Sequence, residues 1–260
     1  MLTSREITKN WQSITLTKCA LPPFRCFLLA VLAGMFIGLG AMGATVIQSM
    51  AGAGLGKLLG ASVFPTGLML VVMAGGELFT GNCLMAGPAL MGKAPWKGVL
   101  RNWGIAYLGN MLGAFLVAVI ATVGGVLQSH GQATLDLAQA IARNKSSLSF
   151  IDGLLKGVGC NILVCGAVFM AGGAQSGGSK AVLCFFPVML FVLCGLEHSI
   201  ANMYYVPAGL LIQALPRYGL DAAPATVSGY LLCNLLPVTL GNILGGAGLA
   251  AAYAFIHRDE

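Results

Sequence analysis

Charge is what this chain has least of. Only 8% of its 260 residues are Asp, Glu, Lys or Arg, against about 25% in an ordinary soluble domain. With 57% hydrophobic residues and a mean hydropathy of +0.86, a water-soluble globule is excluded. Other absences narrow the chemistry. The eight cysteines contain no C-x-x-C pair and mostly sit inside apolar runs, so they read as small buried residues without disulfide or metal role. His130, His198 and His257 are far apart with no ligand spacing, so no metal site is expected. No nucleotide loop, catalytic triad signature or haem motif is present, which leaves no cofactor implied and no enzyme indicated. The net charge of +6 is built from scattered single residues, which argues against a nucleic-acid surface. No signal-peptide core opens the chain, because its first 20 residues are polar.

What is present is glycine, at 37 positions, and long apolar runs. Such glycine use suits membrane helices, where small residues let backbones approach. Six apolar segments lie near 26–47, 61–91, 103–127, 151–173, 181–213 and 227–256. Crossing the hydrocarbon takes about 20 residues. Four segments are near that length, and the second and fifth exceed it. The reading is an all-α membrane protein of six transmembrane spans forming one channel domain over residues 1–260.

The two overlong segments are interrupted by matching polar groups. Residues 76–82 read G-E-L-F-T-G-N and residues 195–202 read G-L-E-H-S-I-A-N, each carrying Glu-x4-Asn as Glu77…Asn82 and Glu197…Asn202. Each follows a Phe-Pro pair, Phe64-Pro65 and Phe186-Pro187. Carboxylates and amides are expensive inside hydrocarbon and mark function there. Paired interrupted helices in the two halves of a membrane protein point to a substrate path, and irregular backbone at that depth survives only where it is buried in protein or lines a cavity. The second and fifth spans are therefore expected to be half-helices joined by loops.

The halves also match elsewhere. L-G-N-M-L-G at 108–113 recurs as L-G-N-I-L-G at 240–245, and Asn102 and Asn234 keep the same offset of 132. Residues 26–127 and 151–256 thus read as two repeats of three spans. Three is odd, so the second enters from the opposite face, giving an inverted 3+3 repeat. The pairs Gly34/Gly38, Gly109/Gly113, Gly153/Gly157 and Gly241/Gly245 could each seat a helix, within one protomer or between protomers.

Basic residues set the orientation. Arg5, Lys9, Lys18, Arg25, Lys93, Lys97, Arg101, Lys180 and Arg258 fall on one side, with Lys57, Arg143, Lys145 and Arg217 opposite. The positive-inside rule makes both termini cytoplasmic. Residues 1–25 carry Ile7, Trp11 and Ile14 at i, i+4, i+7: an amphipathic helix on the cytoplasmic surface, or a polar tail with incidental apolar residues.

Five stretches then point to a family: A-G-M-F-I-G-L-G at 33–40, G-G-E-L-F-T-G-N at 75–82, L-G-N at 108–110, K-G-V-G-C-N at 156–161 and G-L-E-H-S-I-A-N-M at 195–203. In these the chain resembles the formate–nitrite transporter family over nearly its whole length. The resemblance implies a homopentamer of aquaporin-like six-span protomers in the bilayer of a prokaryotic inner membrane, with one pore per protomer passing small monovalent weak-acid anions. It implies that His198 is the central pore histidine, Thr80 the loop threonine and Asn161 the fourth-span asparagine facing that histidine. It places Lys145 in the outer vestibule, with Glu197 beside the histidine. It also places Leu78 and Phe79 in one apolar constriction and Phe64, Leu68 and Phe191 in the other. Glu77, Asn82, Glu197 and Asn202 read as supports of the broken loops.

Physically, an anion at the bilayer centre faces an unfavourable solvation of several kcal/mol, up to about 10. Half-helix N-termini, the Thr80 hydroxyl, the Asn161 amide and a titratable His198 offset part of this. Apolar rings work against it, and two routes remain open. Desolvation raises a weak acid's pKa, so the cargo crosses as the neutral acid, or a protonated His198 balances its charge. Formate ranks first among cargoes, nitrite and hydrosulfide next, and lactate last because phenylalanines narrow the path. The rival readings are a neutral-solute channel of aquaporin type, which lacks here the paired Asn-Pro-Ala, and a membrane enzyme using His198 and Glu197, which lacks any second constellation.

Overall fold

The computed structural model describes residues 1–218 and 225–258, without the side chains of Ala53 and Arg217. The basic residue Arg217 counted for orientation therefore lies outside the described side chains. Among the described residues every regular element is helical.

Helix α1 (Ser4–Ala20) opens with a capping box. The Thr3 hydroxyl accepts from the Glu6 N–H, and the Glu6 carboxylate accepts from the Thr3 N–H at 2.7 Å. Ile7, Trp11 and Thr15 form its buried face, so the segment is a docked amphipathic helix and not a loose tail. The pair Pro22-Pro23 ends it and starts α2 (Pro23–Met50), because proline suits the first helical position. Next come α3 (Ala53–Val63) and α4 (Thr66–Ala74), jointed at Phe64-Pro65. After a break follow α5 (Phe79–Asn82), a 3-10 turn at Cys83–Met85 and α6 (Ala86–Leu90). The first half closes with α7 (Trp96–Thr122). The short α8 (Val126–Ser129) leads to α9 (Gln132–Lys145) and α10 (Phe150–Gly172). Helix α11 (Gly177–Leu193) is separated by a second break from α12 (Ser199–Ala214). Last, α13 (Val227–Gly229) runs through a π-helical stretch, Tyr230–Leu235, into α14 (Leu236–Ile256).

Among the described residues, five helical stretches are long and apolar enough to cross a membrane: Pro23–Met50, Gly54–Ala74, Trp96–Thr122, Phe150–Gly172 and Val227–Ile256. The expected segment 181–213 is instead divided between α11 and α12, neither of which has spanning length alone. Helix α3 begins well before the expected boundary at 61. Its glycines lower helix propensity, but they admit the neighbour: a Cβ on Gly56 would sit 2.5 Å from the Gln48 carbonyl oxygen of α2. The stretch 128–150, expected to be a connection, holds α9, whose Leu135, Ala138 and Ala142 are buried on one face against α12.

Packing is dominated by two helix pairs, α2 with α7 and α10 with α14. A Cβ on Gly113 would lie 2.0 Å from the Val31 carbonyl oxygen, and one on Gly245 would lie 2.3 Å from that of Val158. Backbone thus meets backbone where no side chain fits. The small-residue pairs seat helices within one protomer, which settles what the sequence left open.

Candidate functional site

Both breaks use the same backbone device. Gly75 and Gly195 adopt φ of +88° and +69°, values that L side chains rarely reach. Two residues on, Glu77 N–H donates to the Leu29 carbonyl at 3.2 Å and Glu197 N–H donates to that of Lys156 at 3.3 Å. Each carboxylate is then surrounded by donors. Glu77 accepts from Lys18 at 2.5 Å, Asn82 at 2.8 Å and Asn102 at 3.0 Å. Glu197 accepts from Lys145 at 2.8 Å, Asn202 at 2.7 Å and Asn234 at 3.3 Å. Asn110 and Asn242 complete the frames. The Oδ1 of Asn110 accepts the Phe79 N–H and that of Asn242 the Ser199 N–H, both at 2.9 Å. Their amides donate to the Glu77 and Glu197 carbonyls, again both at 2.9 Å. A carboxylate buried with a cation and several donors is tolerable where a bare one is not.

The residues at the tips of the frames differ. Leu78 is the N-cap of α5 and His198 the N-cap of α12. The Leu78 side chain offers no hydrogen bond. The Nδ1 of His198 accepts the Ala201 N–H at 3.1 Å, and its Nε2 lies 2.8 Å from Thr80 Oγ1. An Nδ1 that accepts a backbone N–H carries no proton, so in this geometry the ring is neutral and its proton sits on Nε2, facing Thr80. This contact is a direct side-chain hydrogen bond between the two breaks. The ring is 3% exposed and stacks on Phe191 with centroids 5.9 Å apart, while Phe191 meets Phe64 edge-on at 5.6 Å. Phe79 rests edge-on against Trp103 and Tyr107.

Asn161 reaches Thr80 by another route. Its amide donates to the Thr80 carbonyl at 3.1 Å and to the Asn242 carbonyl at 2.6 Å, holding the loop backbone, and its Oδ1 has no partner among the described residues. Among the described residues it makes no hydrogen bond to His198. The Cys165 thiol shares the Thr80 carbonyl at 3.1 Å.

Two cavities approach this centre. One, of about 260 Å³, is bordered by α1 and lined by Lys18, Leu78 and Asn82 among others. The second, of about 150 Å³, is lined by Phe64, Lys145, Phe191, Glu197, His198 and Asn202. Leu68, Phe79, Thr80 and Asn161 border neither and are buried between the flanking helices. The fold therefore brings Thr80, His198, Phe191 and Phe64 together around one buried contact, lines the two cavities with Leu78, Asn82, Lys145, Glu197 and Asn202, and leaves Leu68 in the buried core outside both. Sequence reasoning misses roles for five of their partners. Lys18 enters it only for orientation, and Asn102, Asn234, Asn110 and Asn242 only as repeat markers. Their signal was spacing: Lys18 and Lys145 each precede the carbonyl that receives the loop glutamate N–H by 11 residues.

Comparison with known proteins decides the family. The model of the formate/nitrite transporter family matches residues 5–256. The chain belongs to the formate/nitrite transporter family. It is 37% identical to the "Probable formate transporter" of Methanothermobacter thermautotrophicus, covering 98% of this chain and 97% of that protein. It is 35% identical to "Formate channel FocA" of Escherichia coli (strain K12), covering 92% and 88%. Among solved structures, "Pentameric formate channel with formate bound" superposes with a TM-score of 0.80 at 35% identity, covering 90% of this chain and 96% of that one. These relatives are transporters and channels, which fits a non-enzyme reading. The chain is thus a multi-pass helical membrane protein of a transport family.

Proposed function

We propose that this chain is a channel for small monovalent weak-acid anions, with formate the favoured cargo, nitrite and hydrosulfide next, and lactate the least suited. In this reading the jointed α3–α4 with α5–α6, and α11 with α12, are the second and fifth of six spans in an aquaporin-like inverted repeat. Each protomer of a homopentamer carries one path through the inner membrane, with both termini in the cytoplasm. The solved pentameric formate channel supports the assembly and the cargo, and the paired frames around Glu77 and Glu197 support the repeat.

The observation that carries the reading is the Thr80–His198 contact of 2.8 Å, buried between the two cavities where the broken helices meet. Lys145 lies in the wall of the outer cavity, and Phe64, Leu68 and Phe191 narrow the path from that side. Leu78 and Phe79 narrow it from the other. At the centre the Nε2–H of His198 and the Thr80 hydroxyl are the donors offered to an anion stripped of water, with Asn161 holding the loop that presents them. A proton on Nδ1 would displace the Ala201 N–H, so the ring serves as a neutral donor. A second proton on the ring would bring a positive charge to the centre and release the Ala201 N–H together, which makes transport pH-dependent through His198.

Proteoliposome flux tests this. Formate and nitrite should enter saturably while glycerol produces no swelling. In His198→Phe the flux should fall and its pH dependence flatten. Rapid glycerol swelling without formate flux would replace this reading with a neutral-solute channel, and an unaltered pH profile in His198→Phe would remove the histidine from the mechanism.

A further inference from the structure

The α1-side cavity holds two groups to which the proposed path assigns no task. Lys180, in the first turn of α11, is half-buried in its wall and makes no ion pair among the described residues. Lys18, in the same wall, is tied to Glu77. The opposite cavity has one lysine in its wall, Lys145, tied to Glu197. One mouth therefore keeps an uncompensated cation and the other does not.

The second group is Trp11. Its side chain is 6% exposed, and its Nε1–H has no acceptor among the described residues. Buried donors in native folds are nearly always satisfied, because leaving one bare is costly. The nitrogen lies behind Gly172: a Cβ built there would stand 3.9 Å from it. Gly172 is exposed and lines the same cavity. Nearby, the Asn82 amide is spent on Glu77 and Asn102, and Val71, Val72 and Val168 are apolar. With Glu77 already satisfied, the side chains of this wall with hydrogen-bonding capacity to spare are donors, Lys180 and Trp11, which is complementary to a small anion.

We propose that this cavity is an anion-docking subsite, in which the Lys180 ammonium and the Trp11 indole N–H hold a small carboxylate or oxoanion over Gly172 before it meets Leu78. The proposal rests on the anion-channel reading. An oxygen acceptor suits the indole N–H better than a sulfur one, so the subsite favours formate and nitrite over hydrosulfide.

The test uses sodium formate and sodium nitrite as probes, with flux read from each side in right-side-out and inverted membrane vesicles. In W11F the apparent KM from the α1 side should rise about tenfold, the loss of one charge-assisted hydrogen bond. In K180Q it should rise about threefold at low salt and converge on wild type at high salt, since exposed charge is screened. KM from the opposite side and flux at saturation should not change. Unchanged KM in both variants, or equal changes from both sides, would overturn the subsite while leaving the channel reading intact. If the wild-type protein carries neither anion, the channel reading fails, and intrinsic fluorescence decides the subsite. A saturable response to formate but not to chloride, absent in W11F, supports it. No response, or one retained in W11F, overturns it.

Discussion

The two broken helices share a frame and differ at the tip. Around Glu77 and around Glu197 the same five groups recur: a positive-φ glycine, a lysine, two asparagine amides on the carboxylate, and a third asparagine that caps the resumed helix. The residue they present is an apolar leucine in one case and an imidazole in the other. The frame is therefore the part that pays for an interruption inside hydrocarbon, and the tip is where the chemistry is placed. Carboxylates in such frames do structural work, and their expected variants differ in kind from those of the tip.

The largest effect should come from breaking a frame. Glu197→Ala strands the Lys145 ammonium and two amides beside a partly buried loop. It should cost about 3 kcal/mol, as removal of one partner of a buried pair does, read as a fall in apparent Tm. Glu77→Ala should cost the same within about 1 kcal/mol if the frames are equivalent; tolerance of one change and not the other would break the comparison. Next comes the tip. His198→Leu makes the two tips chemically alike. It should lower formate flux about 10- to 100-fold, the worth of a lost hydrogen bond to a charged group. The stability cost should stay near the ~1 kcal/mol of a lost N-cap. A protein that unfolds instead would show that the ring belongs to the frame.

The smallest effect separates α1 from α9, the helices that carry the two lysines. Helix α1 has a capping box, whereas α9 starts at Gly131 without a side-chain cap. The backbone N–H of Thr3, aided by its hydroxyl, holds the Glu6 carboxyl below the usual carboxylate range. A depressed pKa contributes stability that is present above the ordinary carboxylate range and lost as pH falls through the lowered value. Acidification should therefore raise amide exchange in the first turn of α1, after correction for intrinsic rates, and leave α9 unaffected. Glu6→Gln should abolish the difference.

Much of the site was legible in the sequence because polar residues stand out in an apolar background. Glu77, Asn82, Glu197 and Asn202 announced both breaks, and L-G-N marked the repeat without showing that its asparagines cap the resumed helices. What stayed hidden depended on distance through space. Lys18 reaches Glu77 across 59 residues, and nothing local distinguishes it from the other basic residues near the first span. Helix α9 was masked by its polar composition, and α3 by glycines whose low propensity is outweighed by close packing on α2. The contact between Asn161 and the Thr80 carbonyl was hidden too, because a side chain's partner is fixed by the whole fold and not by its neighbours in sequence.

The double engagement of His198 has one more consequence. One ring nitrogen anchors the opening coil of α12 and the other greets the threonine across the midline, so the imidazole is a rivet as well as a reagent. A second proton on that ring would loosen the rivet, and whatever acid does to it would be felt along α12 as a mechanical event before it registered as charge.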